Sequence, residues 1–538
     1  MTPGASIRTL ATDYDFLTTG RVCDWKSSSV TDISQCLVKK RKVFRNAVTA
    51  SIDGTVHYGS DTPFRVNFLR KEINGALQCE LLTTGGDWSS SLVGSLLPTL
   101  NDALINHPNV SQGQCLEVNN DSGFQPEGEL FLTGDVRGNE NIGLMALQNL
   151  FVREHNRLCQ SLESAIPSIE ERFDAVKVRI VSLQQKIIYD EYLPALLGRN
   201  ALPPYLGFNS SMNTQISLWF DTVGFRFGHS EITNVLPRLD MDYQCGVYEN
   251  VPLSKSFQAA SLYKETGPDP IVAGLISVQS EEIDTFVVDG LRNLLFGPLN
   301  LDLAAINIMR GRERGLCSYN SARKLYGLKE YTSFEQISND VGVVEALKIA
   351  YNNDLSLVDP WIGGLAETHV NGGTLGELMS RILIDQFTRT RDGDVNWYKN
   401  LLKGNPILLA EIERTKLSDL IRRNTRLECV PDDVFHVPSS PSNPLRRADR
   451  SICSSIVQSF PVNCSATPSA NSPKEERNVW WITLVVFIPL TISLMVMVII
   501  LWKKLKAAGL EIPHKRMVEE EEDESKFNSV ELKNEPIK

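Results

Sequence analysis

The chain has 538 residues, 42% hydrophobic and 22% charged, enough to bury a sizeable core and far from the composition of a disordered polymer. A net charge of −11 and a pI near 5.4 argue against a nucleic-acid partner, because binding phosphates requires a basic field that releases counterions. The ten cysteines, Cys23, Cys36, Cys79, Cys115, Cys159, Cys245, Cys317, Cys429, Cys453 and Cys464, contain no CxxC pair, which favours disulfides over zinc.

The first residues, MTPGASIRTLATDYDF, hold no continuous apolar stretch of the kind a signal peptide needs, so an N-terminal truncation is expected if the chain crosses a membrane. Next, TASIDGT at 49–55 offers oxygen-bearing side chains at alternate positions, Thr49, Ser51, Asp53 and Thr55, on a tight turn of the kind a hard cation prefers. The stretch FLTGDVRGNENIGLMALQNLFVREHNRL at 131–158 puts Arg137 and Glu140 on a Gly- and Asn-containing loop. That loop opens a long amphipathic helix, and a second helical pattern covers 173–197, where apolar residues recur at three- and four-residue spacing. Strand-like runs are few and short, so a mainly α domain is expected. From 437 to 478 the chain is rich in Pro and Ser and has no sustained period, which reads as a stalk. Residues 479–502, VWWITLVVFIPLTISLMVMVIILW, carry no charge over 24 positions and read as one transmembrane helix. Lys503, Lys504 and Lys506 follow it, so the positive-inside rule leaves the acidic tail, 503–538, in the cytoplasm and the large domain outside. N-x-S sequons at Asn109, Asn120, Asn209 and Asn463 fit a glycosylated exterior.

GDxRxNE followed by LFxREHNRL resembles the signature of the animal haem peroxidases. Further blocks come in that family's order: FRNAVTASIDGTVHYGS at 44–60, YDEYLPALLG at 189–198, FRFGHS at 225–230, INIMRGRERGLCSYN at 306–320, WIGGLAE at 361–367 and QFTRTRDGDVNWYKN at 386–400. The resemblance implies a mainly α peroxidase domain over 36–436, with 1–35 as a remnant of its N-terminal part. It also implies the roles a peroxidase needs: an axial nitrogen on the iron, a cation over the opposite haem face and a proton shuttle for peroxide. His229 matches the proximal iron ligand, and Asn307 the residue that accepts a hydrogen bond from that ligand's other ring nitrogen. Arg137 matches the distal arginine, and Glu140 a carboxylate that several members esterify to a haem methyl. Thr49, Ser51, Asp53 and Thr55 match the calcium loop. In TDYDF, Asp15 then stands as the remaining calcium ligand, Asp13 as the second haem-linking carboxylate, and Tyr14 where the family has its distal histidine. The alternative is that the true distal element preceded Met1. Gln148, where the family often has histidine, and Glu313-Arg314, where it often has Asp-His, are two smaller departures.

The expected function is therefore an extracellular haem peroxidase held at the plasma membrane by one helix, with haem and calcium as ligands. Hydrogen peroxide would be its oxidant and halide, thiocyanate or a phenol its reducing substrate. A tyrosine with a pKa near 10 is a poor acceptor for the first peroxide proton, so activity is expected to be impaired. The competing expectation is a non-catalytic peroxidase-homology ectodomain like that of dual oxidases, serving assembly or partner binding. The sequence holds no EF-hand loop or dinucleotide-binding region, so peroxide would have to come from a partner oxidase.

Overall fold

The computed structural model describes residues 49–59, 63–84, 95–108, 126–243, 246–296 and 300–436. It adds the backbone of four short strands at Tyr14–Asp15, Gly20–Val22, Leu37–Lys39 and Val43–Phe44. All belong to one compact unit, Met1–Ala466. The expected stalk, membrane helix and tail lie outside the described residues, and no described helix is long and apolar enough to cross a membrane.

Helices dominate, as expected. The strand content among the described residues is four two-stranded antiparallel pairs, among them β1 (Arg70–Ile73) with β2 (Ala76–Leu81), joined by a tight turn with Asn74 and Gly75 at positive φ. The organising element is helix α1, Ile142–Ser161. Asn141 caps it, its side-chain oxygen accepting from Leu144 N at 2.9 Å, which satisfies one of the four amides a helix start leaves open. Helix α2, Ile169–Ile187, begins at Ser168 with Glu170 and Glu171 in its first turn, where negative charge is favoured by the helix dipole. It runs into a π-helical turn, Ile188–Tyr192, and then into α3, Leu193–Leu197. Pro194 explains the break: its ring nitrogen has no hydrogen to donate, so the α-helical ladder cannot pass through it.

Around α1 pack α2, β2, α4 (Asp269–Ser277) and α5 (Leu417–Asn424). Its middle, Arg153-Glu154-His155-Asn156, is polar, and the first three are buried. Each finds partners. Arg153 donates to Asp269 Oδ1 at 2.9 Å, to the Asn424 carbonyl at 2.7 Å and to the Ser95 carbonyl. Glu154 pairs with Arg157 and Arg423 and accepts from Asn424 Nδ2. His155 bridges the Tyr58 hydroxyl and the Cys79 carbonyl, and Asn156 bonds both the N–H and the C=O of Leu81. A disulfide, Cys79–Cys159, fixes β2 to α1 across 80 positions of sequence. Cys317 and Cys429 are also disulfide-bonded. The apolar core fills in around this frame, with Met145, Ala146, Val176, Ile180, Leu378 and Leu383 buried.

Asp269 serves two arginines, Arg153 and Arg426, and is itself 2% exposed. Asp269→Ala would strand the Arg153 guanidinium in the interior, at a cost of about 3–5 kcal/mol. A chemical-denaturation midpoint should show that loss, and a change below about 1 kcal/mol would mean that the ion pair does not hold α1 to α4.

Candidate functional site

Loop 131–140 is built to hold a fixed shape. Asn139, fully buried, closes it through both ends of its amide, accepting from Phe131 N at 2.8 Å and donating to Phe131 O at 2.6 Å. Gly134 N donates to Val56 O at 3.1 Å, and a Cβ at Gly134 would run into the Thr55 carbonyl, so only glycine permits this approach. Arg65 Nε donates to Thr133 O at 3.0 Å and ties a third segment to the loop.

On this loop Arg137 is half-buried and turned onto Asp135. Its Nε and Nη2 donate to the two carboxylate oxygens at 2.9 and 2.7 Å, while its backbone N–H also bonds Oδ1. Burial of Asp135 opposes its ionisation, but the hydrogen bonds and charge of Arg137 outweigh that, and the carboxyl lies below its ordinary range. Arg137 is thus held in an ion pair with an acidic neighbour, Asp135, as a purely structural reading of the sequence allows. Glu140 ends the loop, its N–H donating to Arg137 O at 2.9 Å and its side chain partly exposed.

His229 ends a 3-10 turn, Gly224–His229. Asn307 sits on the helix Leu303–Glu313. The two meet: Asn307 Nδ2 is 2.7 Å from His229 Nδ1. Arg226 Nη1 donates to Asn307 Oδ1 at 3.0 Å, so the amide turns its NH₂ toward the imidazole. The sequence expectation was the reverse, the asparagine oxygen accepting from the ring, and the competing guanidinium is the physical reason for the difference. Burial, with the charge of Arg226, pushes His229 down to about 3, so the ring is neutral at physiological pH.

Arg226 and Arg310 were missed in the sequence, although simple spacing could have found them. Arg226 lies three positions before His229 in a turn, and Arg310 one helical turn after Asn307. Burial lowers Arg226 to about 10, with Asp221 opposing and Arg310 and Arg314 adding to the shift. Arg310 is lowered by burial and by Arg314. Arg314 contacts Asp221. This concentration of cations beside a neutral imidazole suits a ligand that combines a metal with anionic groups.

Thr49, Ser51, Asp53 and Thr55 share one turn that enters the short helix Thr55–Tyr58, with Gly54 at φ +76°. Asp53 Oδ1 accepts from Thr55 N at 3.1 Å and from the Thr55 hydroxyl, and Gln185 Nε2 anchors the turn through Ile52 O at 2.8 Å. Asp394, almost buried, is raised by burial and by the negative charge of Asp53. A cation would relieve that repulsion, so the residues present fit one. Asp13 lies outside the described residues. Of Tyr14 and Asp15 only the backbone is described, paired with Val43–Phe44.

The remaining histidines near the site are structural. His57 stacks on Phe151 with ring centroids 5.0 Å apart, and its ring nitrogens have no partner. His107 bonds Glu72 Oε2 at 2.7 Å and Arg70 O at 2.9 Å. Cys79, His155 and Cys159 cluster as metal ligands would, but the disulfide occupies both thiols.

A mainly helical domain of this shape is found in a rice (Oryza sativa) fatty acid α-dioxygenase, 20% identical, with a TM-score of 0.56 over 79% of this chain and 70% of that one, a likeness of fold alone. Peroxidase A from Dictyostelium discoideum is nearer, 30% identical with a TM-score of 0.64 over 74% of this chain and 79% of that one. The fold class is thus that of the helical haem peroxidases. The animal haem peroxidase profile matches residues 7–435, and the chain belongs to that family, whose members use haem. Among curated relatives, peroxinectin A of D. discoideum is 34% identical over 72% of this chain and 69% of its own length. Lactoperoxidase of Mesocricetus auratus is 33% identical over 78% and 56%, and dual oxidase of Drosophila melanogaster 32% over 72% and 25%. The chain spans about half of that lactoperoxidase and a quarter of that dual oxidase.

The Asp135–Arg137 pair carries a pH signature. Because the folded carboxyl is lowered, its contribution to stability is present above the unfolded aspartate pKa of about 3.9 and is lost as pH falls through the lower folded value. The stability difference between the native chain and Asp135→Asn should therefore be constant near neutrality and shrink below about pH 4. Denaturation curves across that range test it, and a difference independent of pH would mean that the pair is not formed.

Proposed function

We propose that this chain is an extracellular, membrane-anchored haem peroxidase that uses hydrogen peroxide to oxidise a small donor, a halide, thiocyanate or a phenol. The observation that carries the reading is the neutral His229 imidazole held 2.7 Å from Asn307, with Arg226 and Arg310 beside it. His229 would hold the haem iron through Nε2, Arg226 and Arg310 would receive the propionates, and the bound haem supplies the redox chemistry with peroxide. Glu140, and Asp13 if the N-terminal alignment holds, are the carboxylates available for ester links.

The protein's own part is protonic and electrostatic. Metal binding at Nε2 requires the ring proton on Nδ1, and Asn307 meets that requirement by turning its amide so that Oδ1 accepts from Nδ1–H. The same turn releases Arg226 from Oδ1, freeing that donor for an anion. Arg137 must likewise leave Asp135 to present its fork to negative charge developing on peroxide oxygen. Tyr14 would stand where a proton acceptor is needed, and a phenol is a weak one. Calcium would be held by Thr49, Ser51, Asp53 and Thr55 with Asp15. The membrane anchor at 479–502 and the exterior placement of the domain rest on the sequence pattern.

A second reading, a peroxidase-homology domain that serves assembly or partner binding, is favoured by one observation, the closure of Arg137 onto Asp135. Haem content separates the two. Purified with haem supplied, the chain should show a Soret band near one haem per chain and His229→Ala should lose it; a folded chain without that band overturns the peroxidase reading. Asp53→Ala should lower bound calcium and thermal midpoint together, and no change in either would reduce 49–55 to an ordinary turn.

A further inference from the structure

A cavity of about 920 Å³ opens between the start of α1, the π turn and α3, the segment 231–237, the end of α4 with the extended segment 278–283 that follows it, and the segment 431–436. None of Arg137, Glu140, Asn307, His229 or the 49–55 turn lines it, although Asn141 follows Glu140 directly and Glu231 lies two residues after His229. Its volume is that of a small-molecule site, and its walls mix aliphatic and polar side chains, with one aromatic pair, Tyr192 and Phe435, whose ring centroids lie 5.9 Å apart. Its charge is one-sided. Among the described residues four carboxylates line it, Glu231, Glu281, Glu282 and Asp433, and no Lys or Arg does.

The four are not equivalent. Glu281 and Glu282 are exposed at the rim, and Asp433 is exposed and bonded to His436 at 2.8 Å. Glu231 is more enclosed. Its backbone carbonyl accepts from Glu281 N at 2.9 Å, which fixes the chain, but its carboxylate has no hydrogen-bond partner among the described residues. A carboxylate facing an apolar cavity without a donor is costly to keep and is satisfied by a ligand that brings one. Among the described residues the features that could favour an anion are already engaged: Asn141 occupies the Leu144 amide at the start of α1, His369 is bonded to the Ile283 carbonyl and His436 to Asp433.

We infer that this cavity binds an organic monocation with an aromatic or aliphatic body, its protonated amine donating to Glu231 and its body packed between Leu144, Leu275 and the Tyr192–Phe435 pair. The carboxylate supplies orientation, the apolar walls supply the buried area, and the aromatic pair adds attraction for the cation. The inference does not rest on the haem reading, since no residue assigned to haem takes part.

The test uses the intact chain and protonated N,N-dimethyl-2-phenylethylamine as probe, with 2-phenylethanol as its neutral counterpart and 3-phenylpropanoate as its anionic one, measured by equilibrium dialysis. Saturable binding of one amine per chain is expected, with the alcohol and the acid each at least tenfold weaker. Glu231→Gln should weaken the amine at least tenfold. Leu275→Trp, at an exposed position on the cavity wall, should block all three without lowering the thermal midpoint, and so keeps the test valid if the first variant folds poorly. No saturable amine binding, alcohol binding as tight as amine, or amine affinity unchanged in Leu275→Trp would each overturn the inference. Loss of haem from the His229→Ala chain should leave amine binding intact, which separates a failure here from a failure of the peroxidase reading.

Discussion

The fold depends on satisfying the polar groups buried in the middle of α1. Three consecutive polar side chains in the centre of a helix that is covered on most sides would be prohibitive if any lacked a partner, since each buried unsatisfied group costs about 1–3 kcal/mol and a charged one more. Arg153 reaches α4 and α5, Glu154 reaches α5, His155 reaches the 49–59 segment and β2, and Asn156 pairs with β2 as a strand would. Four neighbouring elements are thus positioned by one short stretch of sequence. The apolar contacts around it are numerous but nondirectional, whereas these bonds fix which element lies where.

This explains what could and could not be read beforehand. The two long helices were visible because apolar residues recur along them at helical spacing, and the loop before the first was visible through its Gly and Asn content. Asn74-Gly75 and the short strand pairs carry weaker signals, because a pair of four- to six-residue strands has too little alternation to stand out. The π turn before α3 is invisible to a count of periodicity and is explained only by Pro194. REHN served as a recognition mark in the sequence, and the structure gives it a different meaning: these residues build the frame and do not face the candidate site.

At the site itself, residue identity was legible and conformation was not. His229 and Asn307 are 78 positions apart, and their meeting depends on the packing of separate helices, so no local pattern announces it. The amide orientation of Asn307 is set by Arg226, and the direction of Arg137 by Asp135. Each is decided by a charged partner brought alongside by the fold, which composition cannot show. The cavity beside Glu231 was likewise beyond the sequence, because its walls come from segments far apart in the chain and its charge asymmetry exists only once they are assembled.

The contact between Gly134 and the 55–59 backbone has a consequence of its own. Two loops that share a seam with no room for a side chain cannot shift independently, so the geometry of the Asp53 turn and that of the Arg137 loop form a single mechanical variable. A shift imposed on either loop is therefore carried to the other.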